Sequence, residues 1–323
     1  MTAALAARQV AGGTPQTLAA SLGGFAGTPR RQDSAQVQEP QPPSGSSGAG
    51  SRGRPRYHLS FRGAVGAEWV KLRTVRFTWI NTIIQVVVGP GTAALLALVA
   101  LRAVQDGYAA GPGSYDTWSG AVLANQGPAL VGTVTALVLG VLMVTSEYSS
   151  GSIKVSLSAD PRRGQVFGAK VVGIVGVVAA IGVASVAFSL VVVKLVLGSG
   201  LIPAELNAEA IKAMIGVVIY LIAVALIGLG MGFALRSSAG AVTLGLGLFF
   251  VLDLALQIGA SASRVIEIIQ ELLPVNAGML LWGGPSASQG AVITGYGSGL
   301  GILAAWVVLA LGSGYLVLRS RDA

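Results

Sequence analysis

The sequence predicts an all-α integral membrane protein with six transmembrane helices, an interfacial helix ahead of the first, and short outer re-entrant helices between the fifth and sixth. Three observations carry this. Hydrophobic residues make up 53% of the 323-residue chain and charged residues only 11%, too few to cover the surface of a water-soluble fold. Six stretches are apolar for about the 20 residues a spanning helix needs. Glycine, at 46 residues, is abundant where close helix–helix approach in lipid favours it.

Residues 1–60 are rich in Gly, Ser, Pro, Gln and Ala, and Gln41–Gly50 has almost nothing to bury. This segment is expected to be a disordered cytoplasmic tail without a cleavable signal, ahead of a six-span domain at 61–323. The predicted spans are Trp79–Leu101, Pro128–Thr145, Val166–Val193, Ile211–Leu235, Ala239–Ala260 and Leu300–Leu318, the second and sixth near the short end and the third long enough to tilt. Gly89-Pro90-Gly91 predicts a kink in the first.

With the N-terminus in the cytoplasm, 17 basic residues fall inside and 4 outside (Arg102, Lys194, Lys212 and Arg264); without distant Arg8, Arg30 and Arg31 the ratio is 14 to 4. The positive-inside rule places both termini in the cytoplasm. The net charge of +8 therefore reads as membrane topology rather than nucleic-acid binding.

Four segments are candidates for function. Arg62–Phe77 places Val65, Trp69 and Leu72 against Glu68, Lys71, Arg73 and Arg76, a pattern that suits a helix lying in the inner interface with Trp69 and Trp79 as anchors. The inner loop Glu147–Gly164 mixes polar and apolar residues, among them Ile153, Val155 and Leu157. It reads either as a plain connector or as a piece presented to a cytoplasmic partner. Glu147, at the inner end of the second span, calls for a cation, with Lys71, Arg73 or Arg163 available. Ser261–Gly299 holds an amphipathic stretch that stops at Pro274 and a second apolar piece, Asn276–Trp282, too short to span. These read as two short helices entering the outer leaflet. Inside the spans, Asp253 either meets a cationic substrate or is protonated or paired with Arg264 or Lys194, and Asn81 and Gln85 share a face of the first span.

Several chemistries are excluded. There is no cysteine and one histidine, His58, so a histidine-dependent triad or histidine-rich zinc site within the membrane cannot form. No Gly-x-x-x-x-Gly-Lys-Ser/Thr phosphate loop, His-Glu-x-x-His or Gly-x-Ser-x-Gly motif occurs. The chain is expected to be a transport subunit rather than an enzyme, holding no cofactor of its own.

The stretch Thr145-Ser-Glu-Tyr-Ser-Ser-Gly-Ser-Ile-Lys154, followed by Pro161-Arg-Arg-Gly164 and Ala169-Lys170, resembles the inner-loop signature of membrane subunits of bacterial type-2 ABC exporters, in particular actinobacterial permeases. Glu68-Trp-Val-Lys-Leu-Arg-Thr74 and Leu272-Leu-Pro-Val-Asn-Ala-Gly278 support the resemblance, which runs from about Phe61 to Arg321; the long N-terminal tail departs from the family pattern. The resemblance implies that Gly66–Arg76, with Glu68, Trp69, Lys71, Leu72 and Arg73, is the elbow helix. It implies that Glu147, Tyr148, Ser149, Ser150, Gly151, Ile153, Arg162 and Arg163 contact a separate ATP-binding subunit carrying ATP and Mg. It also implies that Ser261–Gly284, with Pro274 and Asn276, closes an outer gate, and that two permease copies or homologues pair in a bacterial plasma membrane. Asn81, Gln85 and Asp253 are the candidates for the substrate path. A carrier or channel driven by an ion gradient through Asp253 is the alternative reading.

Overall fold

The computed structural model describes residues 60–107, 119–152, 163–198, 200, 202–260, 263–283 and 292–320. The N-terminal tail, Ile153, Val155, Leu157, Arg162 and the side chain of Arg163 lie outside the described residues.

Helix α1 (Phe61–Thr74) starts where the Ser60 hydroxyl accepts the Gly63 amide at 3.2 Å, and it ends where Val75 turns extended. Lys71 and Arg73 sit in its last turn, where positive charge favours the helix dipole. Six helices long and apolar enough to span follow: α2 (Arg76–Gln105), α3 (Ser119–Ser150), α4 (Arg163–Val196), α5 (Ala208–Leu235), α6 (Ser238–Ala260) and α9 (Tyr296–Ser320). Between α6 and α9 lie α7 (Arg264–Glu271) and α8 (Pro274–Trp282), bent by 69° to each other. Among the described residues there is no strand.

Where the sequence predicts a kink, the first span carries a π-helical turn at Ile84–Val88, directly before Gly89-Pro90. Such a turn displaces backbone carbonyls from their usual partners. The Ser185 hydroxyl of α4 donates to the Gln85 carbonyl at 3.0 Å and repairs one of them. A second π turn, Gly247–Val251, precedes Asp253.

The second span is not short. It forms a helix of 32 residues with Pro128 inside it rather than at its start. A proline within a helix leaves the carbonyl four residues earlier without its amide. Here that carbonyl, on Ala124, accepts the Ser189 hydroxyl of α4 at 2.6 Å. The extension Ser119–Gly127 is further held by the Gly120 amide, which donates to the Pro203 carbonyl at 2.7 Å.

Helices α3 and α5 form the buried centre, each with 67% of its most apolar window inside the protein, against 17% for α6 and 11% for α9. Their crossing depends on glycine. A Cβ on Gly140 would lie 2.0 Å from the Ala225 carbonyl oxygen, and one on Gly228 would lie 2.5 Å from that of Leu137. The opposite face of α5 meets α9 in the same way, through Gly230 against Ala310 and Gly314 against the Gly230 carbonyl. Glycines of α5 thus admit two neighbours, Gly228 the α3 backbone and Gly230 that of α9. Around this centre α4 packs on α1, α2, α3 and α5. The Phe167 ring of α4 lies 5.0 Å from that of Phe233 and 5.4 Å from that of Tyr315.

Candidate functional site

Helix α3 ends at Gly151, whose φ of 71° is the left-handed conformation glycine adopts without strain, and whose amide donates to the Tyr148 carbonyl. The chain returns as α4 from Arg163. Glu147 therefore stands one turn before the α3–α4 connection, and Lys170 two turns after it. This antiparallel arrangement brings them level.

Both are buried: the side chain of Glu147 is 3% exposed and that of Lys170 is 0% exposed. Lys170 Nζ donates to Glu147 Oε1 at 2.5 Å and to Glu68 Oε1 of α1 at 2.9 Å. Lys71, one helical turn along α1 from Glu68, donates to the same Glu147 oxygen. The result is an alternating chain, Lys71–Glu147–Lys170–Glu68, with two positive and two negative side chains. It joins three helices at the root of one connection. Glu147 and Lys170, the two buried members, are tolerated there only because they pair, and removal of one leaves an expensive unpaired neighbour. Glu147 Oε2 and Glu68 Oε2 are buried without a protein partner, so the network holds its carboxylates through one oxygen each.

Of the cations anticipated for Glu147, Lys71 is provided by the geometry, while the side chain of Arg163 lies outside the described residues. Arg73 lies instead over the Trp69 ring, 5.9 Å from its centroid. Lys170 had stood out only as part of a motif. The spacing of Glu68 and Lys71, three apart on one helix face, was the signal that α1 carries one charge for each of two opposite partners. Leu72, the remaining residue of that group, is the buried anchor of α1.

Next to Glu147, the Tyr148 ring lies under the Arg236 guanidinium, 5.1 Å from ring centroid to Cζ. Arg236 forms the left-handed end of α5 with φ 53°. One residue later the Ser237 hydroxyl accepts the Gly240 amide to start α6, which gives the very short α5–α6 turn the sequence predicts. Ser149 and Ser150 bond back into the last turn of α3, to the carbonyls of Ser146 and Glu147. Thus the last turn of α3 meets α1 through Glu147 and the α5–α6 turn through Tyr148. Sequence inspection missed Arg236 as a contact, since a lone arginine in a turn reads only as topology.

At the other end of the bundle, Asp253 pairs with neither Arg264 nor Lys194. Its Oδ1 accepts Asn276 Nδ2 of α8 at 2.6 Å, and the same amide donates to the Gln270 carbonyl. Arg264 bonds Glu267 within α7. The Glu271 carboxylate accepts the amides of Val292 and Ile293, both at 2.8 Å, and Trp306 Nε1 of α9 donates to the Leu272 carbonyl at 2.8 Å. Pro274 opens α8, and Gly278 lies flat on the Tyr220 ring of α5, where a Cβ would come within 2.3 Å of the ring. The bent pair is therefore tied to α5, α6 and α9 at once.

Gln85 is spent on packing. Its Nε2 donates to the Pro128 carbonyl at 3.0 Å and the Ser185 hydroxyl at 3.3 Å, while Oε1 accepts Thr135 at 2.9 Å. Asn81 borders the same narrow cleft. Both belong to α2, which packs on α3 and α4, whereas Asp253 belongs to α6 and faces α7 and α8. The three candidate path residues are thus not gathered at one site within the chain.

A search of curated proteins finds no match to the chain. A scan of protein-family profiles matches residues 65–323 to the ABC-2 family transporter protein, from within α1 through all six spanning helices. Six spanning helices, a charged short helix locked to the second and third of them, and a family match over four-fifths of the sequence lead to one statement: the chain is a multi-pass membrane permease belonging to the ABC-2 transporter family.

Proposed function

We propose that this permease is the membrane half of an ATP-driven exporter, worked by a separate cytoplasmic ATP-binding-cassette subunit that carries ATP and Mg. On this reading both termini and the α3–α4 connection face the cytoplasm of a bacterial cell, in keeping with the distribution of basic residues. Helix α1 is the elbow, α7 and α8 are the re-entrant outer gate, and a second copy or homologue completes the substrate path.

The observation that carries the proposal is the Lys71–Glu147–Lys170–Glu68 chain. A push on the α3–α4 connection, through Ser149 to Ile153 and through Arg162 and Arg163, reaches a base that cannot yield locally without separating buried charges. The displacement passes instead to α1, α3 and α4 as whole helices. Transport of this kind requires two global states with different contacts rather than a reactive group in the membrane. The single-oxygen grip on each carboxylate suits a network that re-pairs between those states.

The gradient-driven alternative needs Asp253 to accept a cation. Its contact with Asn276, on the piece assigned as the gate, supports a latch role instead. Affinity purification from native membranes tests the main proposal. A stoichiometric phosphate-loop ATPase is expected with the chain, and uphill transport by the purified chain alone under a proton or sodium gradient would refute it.

A further inference from the structure

The face of α1 turned away from the ion chain borders a cleft of about 200 Å³ between α1, α2 and α4. Its apolar walls include Val177, Ala180 and Ile181 of α4. Its rim carries Trp69, Arg73 and Trp79. The rim is a fixed assembly. Trp79 Nε1 donates to the Arg73 carbonyl at 2.8 Å, which pins the second indole to the end of α1, and the Arg73 guanidinium lies over the first. Trp69 and Trp79 are 38% and 58% exposed, and apolar neighbours Val70, Ile80 and Ile83 are exposed beside them. The cleft therefore opens sideways to lipid rather than upward to water.

Two indoles mark the depth of a membrane interface. A guanidinium at that depth, beside an apolar slot, offers planar donors to a phosphate and a lining for a hydrocarbon chain. Charge supports the sign: Arg76 follows two residues after α1, and Glu68, the acid nearest in sequence, is held on the other face by Lys170. We infer that this cleft is a binding site for an anionic phospholipid of the cytoplasmic leaflet, with one acyl chain between α1 and α4 and the phosphate against Arg73. Because α1 carries Glu68 and Lys71 on its opposite face, the lipid would brace the helix that completes the ion chain. The inference rests on the cytoplasmic placement of α1 and not on the ATPase reading.

The test is native mass spectrometry of the full chain purified in detergent and supplied with equal phosphatidylglycerol and phosphatidylcholine. One basic side chain at an anionic membrane surface contributes about 1 kcal/mol, so phosphatidylglycerol should be retained about fivefold over phosphatidylcholine. Arg73→Gln should bring the two near parity. Ala180→Trp, which fills the slot, should lower retention of both, while Arg102→Gln, at the far end of α2, should change nothing. Inorganic phosphate at the same concentration should not displace the lipid. Equal retention of the two lipids by the native chain, or an unchanged preference in Arg73→Gln, would overturn the proposal whatever the fate of Ala180→Trp. Displacement by phosphate would reassign the site to a free anion.

Discussion

Lys170, without exposed side-chain surface, reaches Glu147 at 2.5 Å across the root of the connection between the second and third spans. Neither residue would be tolerated there alone. Their pairing, extended by Lys71 and Glu68, makes three helices answer to one loop.

The first prediction concerns that pairing. Lys170→Met leaves Glu147 and Glu68 with Lys71, which contacts Glu147 alone, as the remaining cation of the network. Breaking a buried pair in this way costs about 3–5 kcal/mol. Thermal unfolding followed by intrinsic fluorescence should show a marked loss for Lys170→Met and a clear recovery for Glu147→Leu combined with Lys170→Met, because the double change removes both buried charges. No recovery in the double variant would mean that the two residues do not form one energetic unit.

The α3–α5 crossing gives a second prediction. Gly140→Ala drives a methyl group into the Ala225 carbonyl, whereas Gly301→Ala meets open space. Overpacking of a tight contact costs about 1–3 kcal/mol. Gly140→Ala should lower the midpoint of thermal unfolding in detergent, and Gly301→Ala should leave it within error; equal effects would show that these helices do not cross at Gly140.

Much of this architecture was legible in the sequence for simple reasons. Span number followed from apolar length, and the bent pair from a polar–apolar stripe halted at Pro274. What sequence could not supply was the answer each helix finds in its neighbours. Pro128 looked like a helix start because its missing amide is costly, and only Ser189, from another span, removes that cost at Ala124. Asp253 reads in the sequence as meeting a cationic substrate, protonated, or paired with Arg264 or Lys194, and its hydrogen bond comes from a side-chain amide 23 residues away. Glu147 announced a partner, and Lys71 was among those anticipated, but the second cation depends on how far α3 and α4 run before and after their connection.

Arg236 makes a third prediction. Its left-handed backbone costs an L-residue about 1–2 kcal/mol, which glycine avoids. Arg236→Ala should therefore be less stable than Arg236→Gly by about 1 kcal/mol in unfolding measurements, although both lose the contact with Tyr148. The reverse order would contradict the assigned turn conformation.

At the opposite end, Asn276→Ala withdraws the amide that Asp253 accepts. An unmet acceptor of this kind costs about 1–3 kcal/mol. Hydrogen exchange should rise in α8 and in the last turns of α6, with little change in α3. Asp253→Asn should preserve transport if Asp253 is a latch, and a transport activity that loses its cation dependence in this variant would favour the gradient-driven reading.

The absence of cysteine from the sequence allows the central claim to be tested with a single introduced label. Met279, 38% exposed on α8, is replaced by cysteine and carries an environment-sensitive fluorophore, and the chain is reconstituted with the ATP-binding subunit that the proposal expects to co-purify. ATP should change the fluorescence at α8 in the otherwise native permease, and Glu147→Ala should abolish that change while ATP hydrolysis continues. An undiminished response to ATP in Glu147→Ala would contradict the account, since movement would then reach α8 without the Lys71–Glu147–Lys170–Glu68 chain.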